Sequence, residues 1–377
     1  MFMKKLLLAS VITAVLIPIA QAAPQLYGKA FVTTDYVNGE ADYDNRENAP
    51  EDFDTDSVQI NSNFSRIGLR GSEAITANTD VIYQLEYGTQ VDGDTGDNAF
   101  TNRDTYLGLL NKDYGEFRFG RNSSVFSYVY NPVVTRAYWD NLGKRTLNDS
   151  GGADALNMLD YTRQNNSVLW LTPKYDGLGL VLQYAADESS DDDRQAGYGA
   201  SVTFDQGKGF TAGLAYSKDI EASGSINALD FTNDDNLEGN VNYGGDAFRG
   251  GVTVDLDKYT SIATPITLGL VYQQADYDFT GSDKEKGLIV SSKMALNNFA
   301  RPASLYLQYN KTDNLNGIGN NDSDQLVLGG EYEFKDNIIA HAYIGQNSAD
   351  YTSPMDATNS VADIKVFAVG GGLEYLF

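Results

Sequence analysis

The sequence predicts an all-β fold: a closed transmembrane antiparallel β-barrel of about 16 strands. Three observations predict it. The chain begins with an export leader, yet no later stretch is apolar enough for a spanning helix. Segment after segment alternates apolar and polar residues, and the apolar faces often end in an aromatic. The connections between segments alternate between short and long.

The leader comes first in the chain. Lys4 and Lys5 precede an apolar run from Leu6 to Ile19, and Ala20-Gln21-Ala22 fits a small-residue cleavage site. The run is short for a membrane anchor. Residues 1–22 therefore read as a signal peptide and 23–377 as the barrel. The full chain carries a net charge of −25, and loss of the two leader lysines makes it −27. Such a balance excludes nucleic-acid binding through bulk charge. Cys is absent, which removes disulfides and thiolate metal sites. The 25 Tyr suit a membrane–water interface, where the ring sits in the apolar layer and the hydroxyl in water. No linker or composition shift divides the mature chain, so one large closed unit is expected.

The strands follow. Leu26, Gly28, Ala30 and Val32 alternate with Tyr27, Lys29, Phe31 and Thr33. Ile67 and Leu69 alternate with Arg66, Gly68 and Arg70; Val81, Tyr83, Leu85 and Tyr87 with Ile82, Gln84 and Glu86. The pattern recurs at Leu178–Tyr184, Phe210–Tyr216, Ile266–Tyr272, Leu305–Tyr309 and Leu326–Tyr332. A soluble sandwich also alternates. The leader, the terminal aromatics and the polar opposite faces favour lipid on the apolar side and water on the other. Lipid in turn demands closure, because an open edge strands backbone groups. The last strand, Lys365–Phe377, closes against the first near Leu26.

Short connections are expected at Ala74–Asn78, Lys112–Gly115, Tyr175–Gly177, Asp205–Gly209 and Lys335–Asn337. Long polar ones are expected at Val37–Asp56, Val91–Thr101, Asp187–Gln195, Asp219–Gly244, Tyr277–Glu285, Leu315–Asp324 and Tyr351–Ala362. Tight turns then lie on the periplasmic side and long loops outside. The longest irregular segment, 121–163, becomes the third outer loop. It is too aromatic for a disordered linker, and we expect it to fold inward and narrow the lumen.

These residues resemble the general diffusion porins of Gram-negative outer membranes. Leu26-Tyr-Gly-Lys29 is similar to the first-strand motif of that family, and Ser65-Arg66-Ile-Gly-Leu-Arg-Gly-Ser-Glu73 to the second. Arg103-Asp-Thr-Tyr-Leu-Gly-Leu109 resembles the fourth strand, and Tyr114-Gly-Glu-Phe-Arg-Phe-Gly-Arg-Asn122 the approach to the third loop. The terminal Phe377 is similar to the residue the family uses in assembly. The resemblance implies a homotrimer of water-filled barrels in the outer membrane, among lipopolysaccharide, passing small hydrophilic solutes. It implies a basic set of Lys29, Arg66, Arg103 and Arg163, with Arg70 and Arg121 as further candidates. Leu147-Asn-Asp-Ser-Gly-Gly152 resembles the loop-tip motif and gives Asp149 its acidic role. Asn148 and Arg145 depart from the family pattern, so Asp140, Asp154 and Asp160 remain candidate loop acids.

Cations facing anions across a narrow wet gap set up a transverse field, focused by low-dielectric walls. The overall charge suggests a mild cation preference. Tyr138 and Trp139 offer two readings: packing of the loop against the wall, or a stacking platform for an oligosaccharide-selective channel. Acidic outer loops such as Asp42-Tyr-Asp44, Asp92-Gly-Asp94, Asp187-Glu188 and Asp191-Asp-Asp193 could hold Ca²⁺ or Mg²⁺ beside lipopolysaccharide, although solvated acids are the simpler account. No cofactor is expected. A hydrolase would rest on His341, the only His, which lies in a strand pattern without a nucleophile signature.

Overall fold

Each strand satisfies its backbone on both neighbours, and the chain returns to its own start. The computed structural model describes residues 23–43, 52–93, 100–129, 137–139, 147–148, 152–153, 155–158, 160–161, 163–188, 196–220, 222–225, 240–243, 245–278, 283–352 and 361–377. The expected signal peptide lies outside them.

The barrel strands are β1 (Gln25–Tyr43), β2 (Phe53–Ser62 continued by Arg66–Ala74), β3 (Thr79–Thr89), β4 (Phe100–Asn111), β5 (Gly115–Ser123), β6 (Arg163–Leu171), β7 (Leu178–Ala185) and β8 (Gly197–Asp205). Then come β9 (Phe210–Lys218), β10 (Gly245–Asp255), β11 (Ile266–Tyr277), β12 (Glu285–Ala295), β13 (Ala303–Asp313), β14 (Asp322–Lys335), β15 (Ile338–Thr352) and β16 (Val361–Leu376). All pair antiparallel with their chain neighbours, and β1 pairs β16 from Lys29↔Leu376 to Tyr43↔Ala362. This is a closed barrel of sixteen staves, as the alternation predicts.

The two parts of β2 are one stave, because both pair with β1. Between them Phe64 takes a left-handed φ of 52°. The gap in the ladder is filled locally: Phe31 N–H donates to Ser65 Oγ at 3.0 Å, and Asn63 N–H donates to Phe31 O at 2.8 Å.

Period 2 sorts the faces as expected. Leu268, Leu270, Leu305, Leu307, Leu326, Leu328 and Leu373 point outward and are exposed, while Gln273, Gln308, Asn310 and Gln325 point inward. Exposed apolar side chains on every wall segment exceed anything a water-soluble monomer tolerates. Aromatics mark both rims: Tyr184, Tyr198, Tyr216 and Tyr309 near the long-loop end, and Tyr114, Tyr175, Tyr259, Phe299 and Phe377 near the short-turn end.

The tight turns follow their chemistry. Asp176 and Gly177 both take positive φ, 47° and 86°, the conformation of a two-residue hairpin turn, and Tyr175 and Leu178 exchange backbone bonds of 2.8 and 2.9 Å. Two short-side connections, 256–265 and 296–302, carry no tight-turn signal and were not anticipated.

The loop boundaries need correction on the outer side. The expected loop Val37–Asp56 is largely strand: Val37 pairs Ser57 and Ala41 pairs Phe53. Likewise Tyr351 pairs Ala362. Above the lipid a ladder needs no apolar side chains, so the hydrophobic alternation fades before the strand does. Polar contacts replace it, as where Asn38 Nδ2 donates to Asp54 Oδ1 at 3.0 Å. The final strand likewise starts at Val361 rather than Lys365.

Placing Arg at Leu270 or Leu307 should destabilise the refolded barrel by about 2–4 kcal/mol, because both face hydrocarbon. Gln308→Arg, on the wet face one residue from Leu307, should cost far less. Urea titration in lipid vesicles measures both, and equal losses would contradict the face assignment.

Candidate functional site

One side of the lumen carries a band of cations running across adjacent strands. Lys29 of β1 pairs in register with Arg66 of β2, and Arg66 with Gly88 of β3. Next along the band, Arg103 of β4 lies opposite Glu86 of β3, and Arg163 of β6 pairs Ser123 of β5. Acids of the wall sit among them. Glu86 accepts from Arg103 Nε at 2.7 Å and from the Tyr27 hydroxyl at 3.0 Å, with Arg66 Nε at 3.5 Å. Arg163 Nε is 3.1 Å from Asp104 Oδ1, and Lys29 Nζ is 3.5 Å from Glu374 Oε1. Arg121 donates to Asn102 O at 3.1 Å and Asn165 Oδ1 at 2.6 Å. Arg70 is exposed, donates to Gln25 Oε1 at 3.1 Å, and lies over the Tyr27 ring.

A β-bulge shapes the middle of this band. Leu85 pairs Thr105 and Tyr87 pairs Asn102, so two residues of β4 oppose the single Glu86. Below the bulge the even residues of β4, such as Tyr106, face inward; above it the odd ones do. Arg103 and Asp104 therefore both turn toward water. Strict alternation would send one of them to lipid, and that is why sequence periodicity did not single out Asp104.

The described parts of the segment between β5 and β6 lie inside the barrel, along the wall that leads from β7 round to β16 and β1. Its first turn, Val125–Tyr128, buries Val125 and Phe126; Val125 N–H donates to Gln183 Oε1 at 3.1 Å, and Phe126 stacks on Tyr161 at 4.6 Å. Farther along, Ala137, Tyr138, Trp139, Ala155 and Leu156 share one apolar cluster with Phe31, Val327, Tyr343, Val366 and Ala368 of the wall. Polar wall side chains then take up backbone and side-chain groups of the loop. Asn347 accepts from Leu156 N–H through Oδ1 and donates to Leu156 O through Nδ2, both at 3.0 Å. Asn157 Nδ2 donates to Gln325 Oε1 at 2.9 Å, and Met158 N–H to Thr312 Oγ1 at 3.1 Å. Leu147–Asn148 pairs antiparallel with Gly152–Ala153.

Among the expected loop acids, Asp160 lies within the described residues. It lies 3.4 Å from Arg249 Nη2 on β10, away from the band. Asp140, Asp149 and Asp154 fall outside the described residues. Tyr138 and Trp139 are 2% and 0% exposed, so their faces are closed to a sugar, which corrects the stacking reading. The indole of Trp139 donates to Ala368 O at 3.2 Å and lies against Gly345, where an added Cβ would fall 2.7 Å from the ring. His341 sits on the inner wall beside Glu374 at 3.2 Å and the Phe31 ring at 4.7 Å. Of the suggested cation-binding acids, Asp92 accepts from Ser62 N–H at 2.8 Å and Glu188 from Asn166 Nδ2 at 2.8 Å. Among the described residues no group of three or more acids or histidines is arranged to hold a metal ion. The missed residues are Glu86, Asp104 and Arg249, and the wall amides Asn310, Gln325 and Asn347. In sequence they look like any polar residue on a wet strand face.

A lipid-facing barrel with a band of cations across part of its lumen and its own loop folded inside is the architecture of a membrane channel. Residues 8–353 match the family model described as Gram-negative porin, and the chain belongs to that family. It is 26% identical to outer membrane protein S2 of Salmonella typhi across the whole of both chains. It is also 26% identical to outer membrane porin C of Enterobacter cloacae, covering 76% of this chain and 78% of that one. Its fold is similar to an anion-selective porin from Comamonas acidovorans, with a TM-score of 0.62, 17% identity, and 94% and 99% of the two chains covered. OmpT of Vibrio cholerae, solved in a trimer form, aligns with a TM-score of 0.54 at 16% identity, covering 94% and 99%. The protein is an outer-membrane porin.

Trp139→Ala should release the middle of the loop, at a cost of about 3 kcal/mol of docking. Single-channel recordings should then show a larger and noisier conductance, and Gly345→Val should give the same result from the wall side. Unchanged traces in both would show that these residues do not hold the loop.

Proposed function

We propose that this porin passes ions and small hydrophilic solutes by passive diffusion through a constriction with a transverse field. The observation that carries the reading is the layout of the lumen: Lys29, Arg66, Arg103 and Arg163 on the wall of β1 to β6, and the inward loop packed along the wall from β7 round to β16 and β1. In this reading Asp149, with Asp140 and Asp154, supplies the negative side. Arg70 and Arg121 extend the cationic side. A polar zwitterion aligns with such a field, whereas an apolar solute must displace oriented water and gains little. No tight solute site is involved, because strong binding would slow exit. The burial of Tyr138 and Trp139 weighs against the oligosaccharide-selective alternative.

The proposal includes a homotrimer, by analogy with the trimer form of OmpT, and lipopolysaccharide as the outer-leaflet neighbour. Ca²⁺ or Mg²⁺ bridging lipid phosphates to acids such as Asp42, Asp187 and Glu188 belongs to the same picture.

Planar-bilayer recording in a KCl gradient tests it. The wild type should show weak cation preference, since a chain of net −25, or −27 without the two leader lysines, makes the mouths attractive to cations and the band opposes this locally. Arg66→Gln and Arg103→Gln should each raise the cation-to-anion permeability ratio by about threefold at low salt. Maltose oligomers should pass or be excluded by size without saturable block. Saturable block by a sugar, or a ratio indifferent to both arginines, would refute the reading.

A further inference from the structure

The acids inside the cation band are not equivalent. Glu86 is enclosed by Tyr27, Arg66 and Arg103, with its side chain 8% exposed, and its removal would leave two arginines without their shared counter-ion. Asp104 is more open, at 16%, and is held from one side. The Ser123 hydroxyl lies 2.9 Å from both carboxylate oxygens, and Arg163 Nε lies 3.1 Å from Oδ1. Tyr106, two residues on, is buried on the inner wall, and Asp104 shares its parity below the bulge, which puts it on the water side. Arg163 also lies within electrostatic range of both Arg103 and Arg121.

The bulge gives this placement a reason. A regular β4 would present either Arg103 or Asp104 to lipid, where a charge is costly. The extra residue opposite Glu86 lets both face the lumen, so the chain gains a fixed anion in the band without losing the arginine beside it. At the β4–β6 end of the band this anion stands against Arg163.

We infer that Asp104 is a selectivity-setting residue of the pore: its charge offsets the arginines at that end and keeps the band open to cations. The inference rests on the proposed passage of ions past the band. A unit charge several ångströms from a passing ion, in a nearly aqueous medium, changes the local ion population by about threefold.

The test uses the full-length refolded protein, with reversal potentials in a KCl gradient from 0.1 M. Heat-modifiable migration on gels confirms that each variant has closed its barrel. Asp104→Asn keeps the shape and an acceptor for Ser123, and should lower the cation-to-anion permeability ratio about threefold. The effect should shrink toward 1 M salt, where screening shortens to about 3 Å. Asp104→Glu should hold the wild-type ratio, and Asp104→Asn combined with Arg163→Gln should restore it by restoring the charge balance. A ratio unmoved in Asp104→Asn overturns the inference. So does a fall that Arg163→Gln fails to reverse, since Asp104 would then act only by shaping the wall. If Arg66→Gln and Arg103→Gln also leave the ratio unmoved, ions do not pass the band and the broader reading fails with it. If those two move it and Asp104→Asn does not, only the role of Asp104 is lost.

Discussion

A backbone surrounded by hydrocarbon has no water to bond, and the seam between β1 and β16 is where this chain meets that constraint. Without it the first and last strands would each expose a row of unpaired amides and carbonyls to lipid. The seam runs nearly the full length of β1 and finishes at the chain terminus, where Gly28 and Phe377 exchange backbone bonds of 2.8 and 3.1 Å. Closure forces the rest. With no edge left, side chains divide into those that touch lipid and those that enclose water, and only a segment leaving the wall can subdivide that water.

The inward loop is that segment, and its attachment follows from the same rule about unpaired groups. A loop laid against the inside of a barrel cannot join the wall ladder, because the wall strands have already used their backbone groups on each other. Its own amides and carbonyls must be met by side chains. Asn347 and Thr312 do this from the wall, Gln183 does it at the start of the loop, Gln325 holds the Asn157 side chain, and apolar contact around Trp139 adds burial. The described parts of the loop are therefore held to the wall by both polar and apolar contacts.

Alternation made the barrel legible because lipid punishes every exception: Leu268, Leu270 and Tyr272 had to share a face, and they do. The same rule explains where the reading stopped. The outer halves of β1 and β2 rise into water, where Asn38, Glu40 and Asp54 serve a strand as well as leucine would, so the pattern ended early at Val37. Arg103 was legible through its motif, but its neighbour Asp104 was not, because a bulge changes which parity faces inward and nothing in the two residues announces it. Asn347 and Gln325 were hidden for another reason. Their task depends on a loop more than 160 residues away in the chain, and one strand considered alone shows only a polar residue on its wet side.

The fit of the loop against the wall also constrains how the sequence can drift. Gly345 must stay small because Trp139 occupies the space its side chain would need, and Gly287 stands in the same relation to Met158. Each glycine and its distant partner are effectively one inherited unit: neither can change alone without pushing the loop off its seat. Relatives that carry a different pore lining should therefore differ in pairs, one member in the loop and one on a strand far along the chain, and the width of the channel evolves by such joint steps.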